Sequence, residues 1–559
     1  MTGTLHGVPV SPGRAAGVVA TMPPAVAEPP AEPRPAGDDA DAAVARLTAA
    51  AGVVSDALLA RAGEAGGTAA EVLAVTAGMA TDATLARDAE RRVREEGASP
   101  ERAVWDAAGA LAAQLETLGP PLSERARDVR DVRDRIVAEL TGVRPPGVPA
   151  PGHPFVLVAE DLAPADTATL DPRQVRAVVT AGGGPTSHTA ILARSLGIPA
   201  VVAVAGALGL ADGDTVLVDG TGGVVERDPD EATVAALADA GPRGQRALEG
   251  PGRTADGVRV ELLANVADAD AAKVAAEAGA EGVGLFRTEV CFLGRGAEPS
   301  VEEQVAAYRP VLGAFADRKV VVRTLDAGAD KPLPFVTAAD EPNPALGVRG
   351  LRTATRHPEV LDRQLEAIAA AAEAERAEVW VMAPMVATAA EAAAFVAACA
   401  RHGLERAGVM VEVPAAALRS RWVFEHATFG SLGTNDLTQY AMAADRELGD
   451  LAVLSTAWQP AVLELVRATC EGAAGRGRPV GVCGEAAGDP VLAPVLVGLG
   501  VTSLSMAPRA LGDVGAVLAA TSSDDCRELA RAALAAPDAE AARDAVRERL
   551  RPVLDRIGL

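Results

Sequence analysis

Residues 408–436 read GVMVEVPAAALRSRWVFEHATFGSLGTND. Two short apolar runs, GVMVEV (408–413) and TFGSLG (428–433), are separated by a helical pattern, and both run out into polar residues, Glu412 at the first and Asn435-Asp436 beyond the second. Working outward in both directions, the same unit recurs. VELLANV (260–266), GVGLF (282–286), KVVVRTL (319–325) and EVWVMAPM (378–385) precede it, and PVGVC (479–483) and VTSLS (501–505) follow it. Eight β-then-α units in about 300 residues is the arithmetic of a (β/α)₈ barrel.

In such a barrel the reacting groups lie at the C-terminal ends of the strands. Polar residues stand at those ends in turn: Asn265, then Arg287-Thr288-Glu289, Arg323 with Asp326, Glu412, Asn435-Asp436, and Cys483-Gly484-Glu485, with Lys331, Arg349 and Arg446 in the loops above. Guanidinium forks match phosphate and carboxylate oxygens, so several arginines converging on one mouth imply a small polyanionic substrate. Two carboxylates on neighbouring strands, Glu412 and Asp436, suit Mg²⁺, which takes one or two protein oxygens and leaves places for substrate. Arginines with Mg²⁺ describe phosphoryl chemistry. The plainer alternatives are that Glu412 and Asp436 serve as partners of barrel arginines, and that Cys483 is one more small buried hydrophobe.

The first half of the chain has a second focus, GGGPTSHTAILARSLGIPA (182–200). A glycine-rich turn after the apolar strand 177–179 delivers His188 to a helix start, where unpaired N–H groups suit an anion. It is no ATP-binding P-loop, because the lysine is missing. Short strand-like runs open the chain (5–20), a Pro-rich connector follows, and from about Asp38 to Gly142 the pattern is helical. After Pro145-Pro146-Gly147 the texture is α/β again, so the helical segment reads as an insertion.

The chain is too long, at 559 residues, for one core. Its net charge of −24 repels nucleic-acid phosphates and anionic lipid over most of the surface. The N-terminus does not read as a signal peptide, and the longest uncharged run, 490–508, is broken by Gly and Pro, so a cytoplasmic protein without membrane insertion is expected. Five scattered cysteines with no CxxC pair indicate neither a disulfide framework nor a zinc site.

The stretches GGGPTSHTAILARSLGIPA, GLFRTE, VRTLDAGADK, EPNPALGVR, MVEVPAA, GTNDLTQY, AADR and VCGEAAGD, in this order, resemble enzyme I of the bacterial phosphoenolpyruvate-dependent sugar phosphotransferase system. The resemblance covers essentially the whole chain. It implies that phosphoenolpyruvate phosphorylates a histidine, releasing pyruvate, and that the histidine passes the group to the carrier protein HPr as the first step of sugar uptake. His188 matches that histidine and Thr167 the hydroxyl that orients its ring. Arg287, Arg323, Lys331 and Arg446 match phosphate contacts, with Arg349 completing the basic rim. Asn435 matches the carboxylate ligand, Glu412 and Asp436 the Mg²⁺ ligands, and Cys483 the proton donor to the methylene carbon.

The implied fold is multidomain α/β: residues 1–22 plus 144–230 an α/β phosphohistidine domain, 38–143 a helical HPr-binding subdomain, 231–257 a linker and 258–559 the (β/α)₈ barrel, the whole a homodimer through the barrel. Two departures are Pro185, where some relatives carry Arg, and EVLAVTAGMATD in the helical insertion. A dikinase or synthase sharing these motifs would need an ATP-grasp domain, for which about 100 helical residues leave no room. A phosphoenolpyruvate sensor without turnover is the other class, against which stands the presence of every reacting residue. His188 must also meet first phosphoenolpyruvate and then HPr, so swivelling about 231–257 is expected.

Overall fold

The computed structural model describes the chain apart from residues 1–2, 12, 24–25, 36–37, 65–74, 118–121, 144–146, 150, 163–169, 185–186, 240–245, 294, 329–332, 338–340, 342, 447 and 449–450. It divides into two compact units, Met1–Pro242 and Arg243–Leu559.

The first unit is built on one eight-stranded sheet. Its strands are β1 (Thr4–His6), β2 (Val8–Ser11), β3 (Arg14–Thr21), β4 (Phe155–Ala159), β5 (Val175–Thr180), β6 (Ala200–Val202), β7 (Thr215–Asp219) and β8 (Val224–Arg227), in the spatial order β1-β8-β7-β3-β4-β5-β6-β2. The centre, β3 through β6, is parallel and the flanking pairs are antiparallel. All five residues of β4 are buried, as expected for a strand covered on both faces.

Between β3 and β4 the chain makes a helical excursion through Ala40–Glu64, Ala83–Glu95, Pro100–Thr117 and Leu122–Thr141. These helices share a core of their own, including Leu58, Val93, Ala108, Val132 and Ile136. In the charged run 125–135, Arg135 is buried and bonds Asp131 one turn earlier at 2.8 Å. One helix, Ala40–Gly63, is long and apolar enough to cross a membrane by length and composition, a feature the sequence reading did not single out. Here its Leu47, Val54 and Leu58 are buried in the bundle core.

The second unit is a closed barrel of eight parallel strands: β9 (Glu261–Val266), β10 (Val283–Arg287), β11 (Lys319–Arg323), β12 (Glu378–Ala383), β13 (Ala407–Val411), β14 (Gly430–Leu432), β15 (Val480–Val482) and β16 (Ser503–Met506). Each of the eight runs picked from the sequence supplies one of them. Closure comes where β16 pairs with β9, Ser503 opposite Glu261.

Outward-facing strand residues such as Leu262, Val322 and Val411 join the helices in one large core. The lumen holds a separate apolar layer of Leu285, Val321, Trp380, Met382, Met410, Phe429 and Cys483, in which the Trp380 and Phe429 rings lie 4.7 Å apart. The barrel is therefore a packed plug with an open mouth, and polar groups at its top rest on apolar ones. Residues 246–257, the far half of the expected linker, are bonded to this unit: Arg246 donates to Asp513, Ala255 N–H to the Thr521 carbonyl, and Asp256 accepts from Ser523.

Candidate active site

At the mouth of the barrel, Arg323 ends β11 above the apolar plug, its guanidinium 3.7 Å from the Met410 sulfur. Two carboxylates hold it, Glu289 at 2.9 Å and Asp326 at 3.0 Å. Burial works against its charge, but Glu289, Asp326 and Glu412 together outweigh that and hold it more firmly protonated than a free guanidinium. Arg287 ends the neighbouring strand in register with Arg323 and is exposed. Behind this pair the buried Gln364 side chain ties three elements together: it accepts from the Leu325 N–H at 2.8 Å and donates to Thr288 and Tyr308.

Arg349 does not sit on the rim. It is 1% exposed, the bulkiest of the fully buried side chains, and lies 3.1 Å from Asp436 and 3.5 Å from Asp326. The reason is electrostatic: three carboxylates, Asp326, Glu412 and Asp436, are buried near one another, and a rim cation could not neutralise them. Arg446 reaches the other Asp436 oxygen at 3.4 Å. Asp436 thus pairs with two arginines.

Glu412 differs. Its Oε1 accepts the Met385 N–H at 2.6 Å, while its Oε2 is buried without a hydrogen-bond donor among the described residues. Burial first, then the charges of Asp436 and Asp326, push its acid up to about 8. Gly433 allows this placement, because a Cβ there would come within 2.7 Å of Oε2. Once Glu412 gives up its proton, an oxygen without a donor beside a second carboxylate is the donor set of a hard cation.

Cys483, following β15, is 4% exposed and its thiol points to the Leu432 carbonyl at 3.6 Å. Burial pushes its pKa up to about 11, so it is a neutral S–H. Its carbonyl accepts from Asn265, which in turn accepts from Ser505 at 2.6 Å. Asn435 accepts the Glu485 N–H at 3.3 Å, tying its loop to the one after β15. The mouth therefore gathers Arg287, Arg323, Arg349, Glu412, Asn435, Asp436, Arg446 and Cys483. Lys331 lies outside the described residues.

In the first unit His188 opens the helix His188–Leu196. The preceding Ser187 caps that helix, its side chain accepting from Ala190 N–H at 3.2 Å, and Gly197 ends it in the left-handed region. Thr189 is buried and donates to Asp161 on the loop after β4 at 3.2 Å, pinning the helix start to the sheet. Thr167 and Pro185 fall outside the described residues.

Sequence reasoning gave no role to Asp326, Glu289, Tyr440 or Met385. The first two were picked out at the strand ends beside arginines, but their pairing with Arg323 was not read from the sequence. Tyr440, which donates to the Ala345 carbonyl and accepts from Arg349, and Met385, which contributes a backbone N–H, carry no local signal.

Three family models match the chain: "PEP-utilising enzyme, N-terminal" over 6–125, "PEP-utilising enzyme, mobile domain" over 151–223 and "PEP-utilising enzyme, PEP-binding domain" over 243–523. They define a phosphoenolpyruvate-utilising enzyme. A phosphoenolpyruvate-protein phosphotransferase of Streptomyces coelicolor is 53% identical over 98% of this chain and 99% of its own length. One of Staphylococcus carnosus is 36% identical over 84% and 85%. A solution structure titled Enzyme I (nEIt) matches 42% of this chain and 97% of its own at 32% identity, with a TM-score of 0.36. The chain belongs to the phosphoenolpyruvate-protein phosphotransferase family, and its reaction is phosphoryl transfer from phosphoenolpyruvate.

Proposed function

We propose that the phosphoryl group passes from phosphoenolpyruvate to His188 and from there to the carrier protein HPr, with release of pyruvate, as the first step of sugar uptake. The observation that carries this reading is the barrel mouth, where Arg323, Arg349 and Arg446 pair with buried carboxylates and the protonated thiol of Cys483 lies near Arg323 and Glu412.

In this reading Arg287, Arg323, Lys331 and Arg446 bind the phosphate, and Asn435 binds the substrate carboxylate. Arg349, buried, acts by holding Asp436. Glu412 and Asp436 would hold Mg²⁺, which when bound neutralises charge on the phosphoryl oxygens. The imidazole nitrogen of His188 forms a P–N bond as the P–O bond to the enol breaks. Thr167 bonds the other ring nitrogen. The electron pair of the leaving enolate falls back onto its methylene carbon, which takes the Cys483 proton, and solvent returns a proton to sulfur.

We assign HPr docking to the helical segment 38–143 and His188 presentation to 1–22 with 144–230. Residues 231–257 serve as the connector and 258–559 bind phosphoenolpyruvate. The protein works in the cytoplasm as a homodimer. Incubation with phosphate-labelled phosphoenolpyruvate and Mg²⁺ should leave an acid-labile, base-stable label that HPr removes and that His188→Ala never acquires. A His188→Ala chain that labels and delivers normally would overturn the reading.

A further inference from the structure

Met385 stands in the left-handed region at φ 59°, one of five non-glycine residues with positive φ among the described residues, and its backbone N–H donates to Glu412 at the barrel mouth. A non-glycine residue there costs free energy and persists only where its surroundings impose it. The surroundings are specific. Gly350, also left-handed at φ 57°, approaches so closely that a Cβ on it would lie 2.9 Å from the Met385 Cβ and Cγ. Leu351 N–H donates to the Pro384 carbonyl at 3.3 Å, and the Tyr440 hydroxyl lies 4.0 Å from the Met385 sulfur. The result is a turn that aims the Met385 N–H at Glu412 Oε1 and leaves Oε2 as the open oxygen.

We propose that Met385 is a positioning residue: its left-handed turn, clamped by Gly350 and Tyr440, orients Glu412 so that Oε2 faces a divalent cation. This rests on the reading of Glu412 as a metal ligand. The same turn lies against Gly350, the residue next to Arg349, so one clamp sets both an oxygen ligand and the cation that steadies Asp436.

The test is direct binding of Mn²⁺ to the full-length protein, followed by loss of the free-ion electron paramagnetic resonance signal, with the melting temperature of each variant recorded alongside. Met385→Gly adopts the turn without cost and retains the N–H, so its Mn²⁺ affinity should stay within about threefold of the parent. Met385→Val, β-branched, should bind about tenfold more weakly, and Met385→Ala should fall between. If the Val chain does not fold, the order Gly tighter than Ala decides.

A Val or Ala variant that melts earlier yet binds Mn²⁺ like the parent would overturn the proposal, as would Gly and Ala variants weakened equally. Glu412→Gln separates the two levels. If that variant binds Mn²⁺ normally, the metal reading of the site fails. If it loses binding while Met385→Val does not, only the positioning role fails.

Discussion

A thiol buried where β15 ends holds on to its proton. An exposed cysteine would ionise near pH 8.5, whereas Cys483 is pushed up to about 11. Between those values the unfolded chain releases a proton that the folded one retains. The stability contributed by the neutral thiol is therefore complete below about pH 8.5 and fades as pH climbs toward 11. Difference absorbance near 240 nm between the parent and Cys483→Ser should show that thiolate emerging only above about pH 10; a midpoint near 8.5 would contradict the buried environment. On the proposed role of Cys483 as proton donor, Cys483→Ala should retain phosphoryl exchange between His188 and the proposed acceptor HPr and lose pyruvate formation by a factor of about 100 or more, the usual scale for removing a general acid. Arg349→Met should destabilise the barrel by about 3–5 kcal/mol, because Asp326 and Asp436 would be left without a cation they share, and urea denaturation measures it. That buried network is where residue-level reading ran short. The charges at the strand ends were legible, but which of them face each other was not. Arg349 looks like a rim residue in sequence because nothing local records the three carboxylates that draw it inward.

At the level of elements, legibility followed burial. The eight barrel strands could be picked out because most are apolar runs with a polar terminus, and the helical patterns that alternate with them mark the repeat. The strand bounds shifted by at most two residues, since the polar ends belong to the mouth and not to the ladder. The left-handed turn after β12 gave no sign, as a methionine in such a place is dictated by its neighbours. Two elements invite tests. Ser187→Ala removes the cap from the helix that begins with His188 and should cost about 1 kcal/mol, seen as faster amide exchange in residues 188–192. Gln364→Leu strands the Leu325 N–H within the barrel wall, while Tyr308 keeps its bond to Gln304, for about 1–3 kcal/mol, again by denaturation.

The whole molecule has two units with separate cores, so calorimetry should resolve two transitions. Phosphoenolpyruvate with Mg²⁺ should raise only the one belonging to the barrel, and His188→Ala should leave that shift intact; a shift that vanished with the imidazole would place ligand binding elsewhere. Barrel closure also has a consequence for how the chain is made. Glu261 in β9 finds its partner in Ser503 of β16, about 240 positions later. At roughly 5–20 residues per second, a ribosome needs roughly 12–50 s to supply that closing strand. For that interval one edge of β9 has no native neighbour, and the nascent barrel offers an open hydrogen-bonding margin of the kind that chaperones shield.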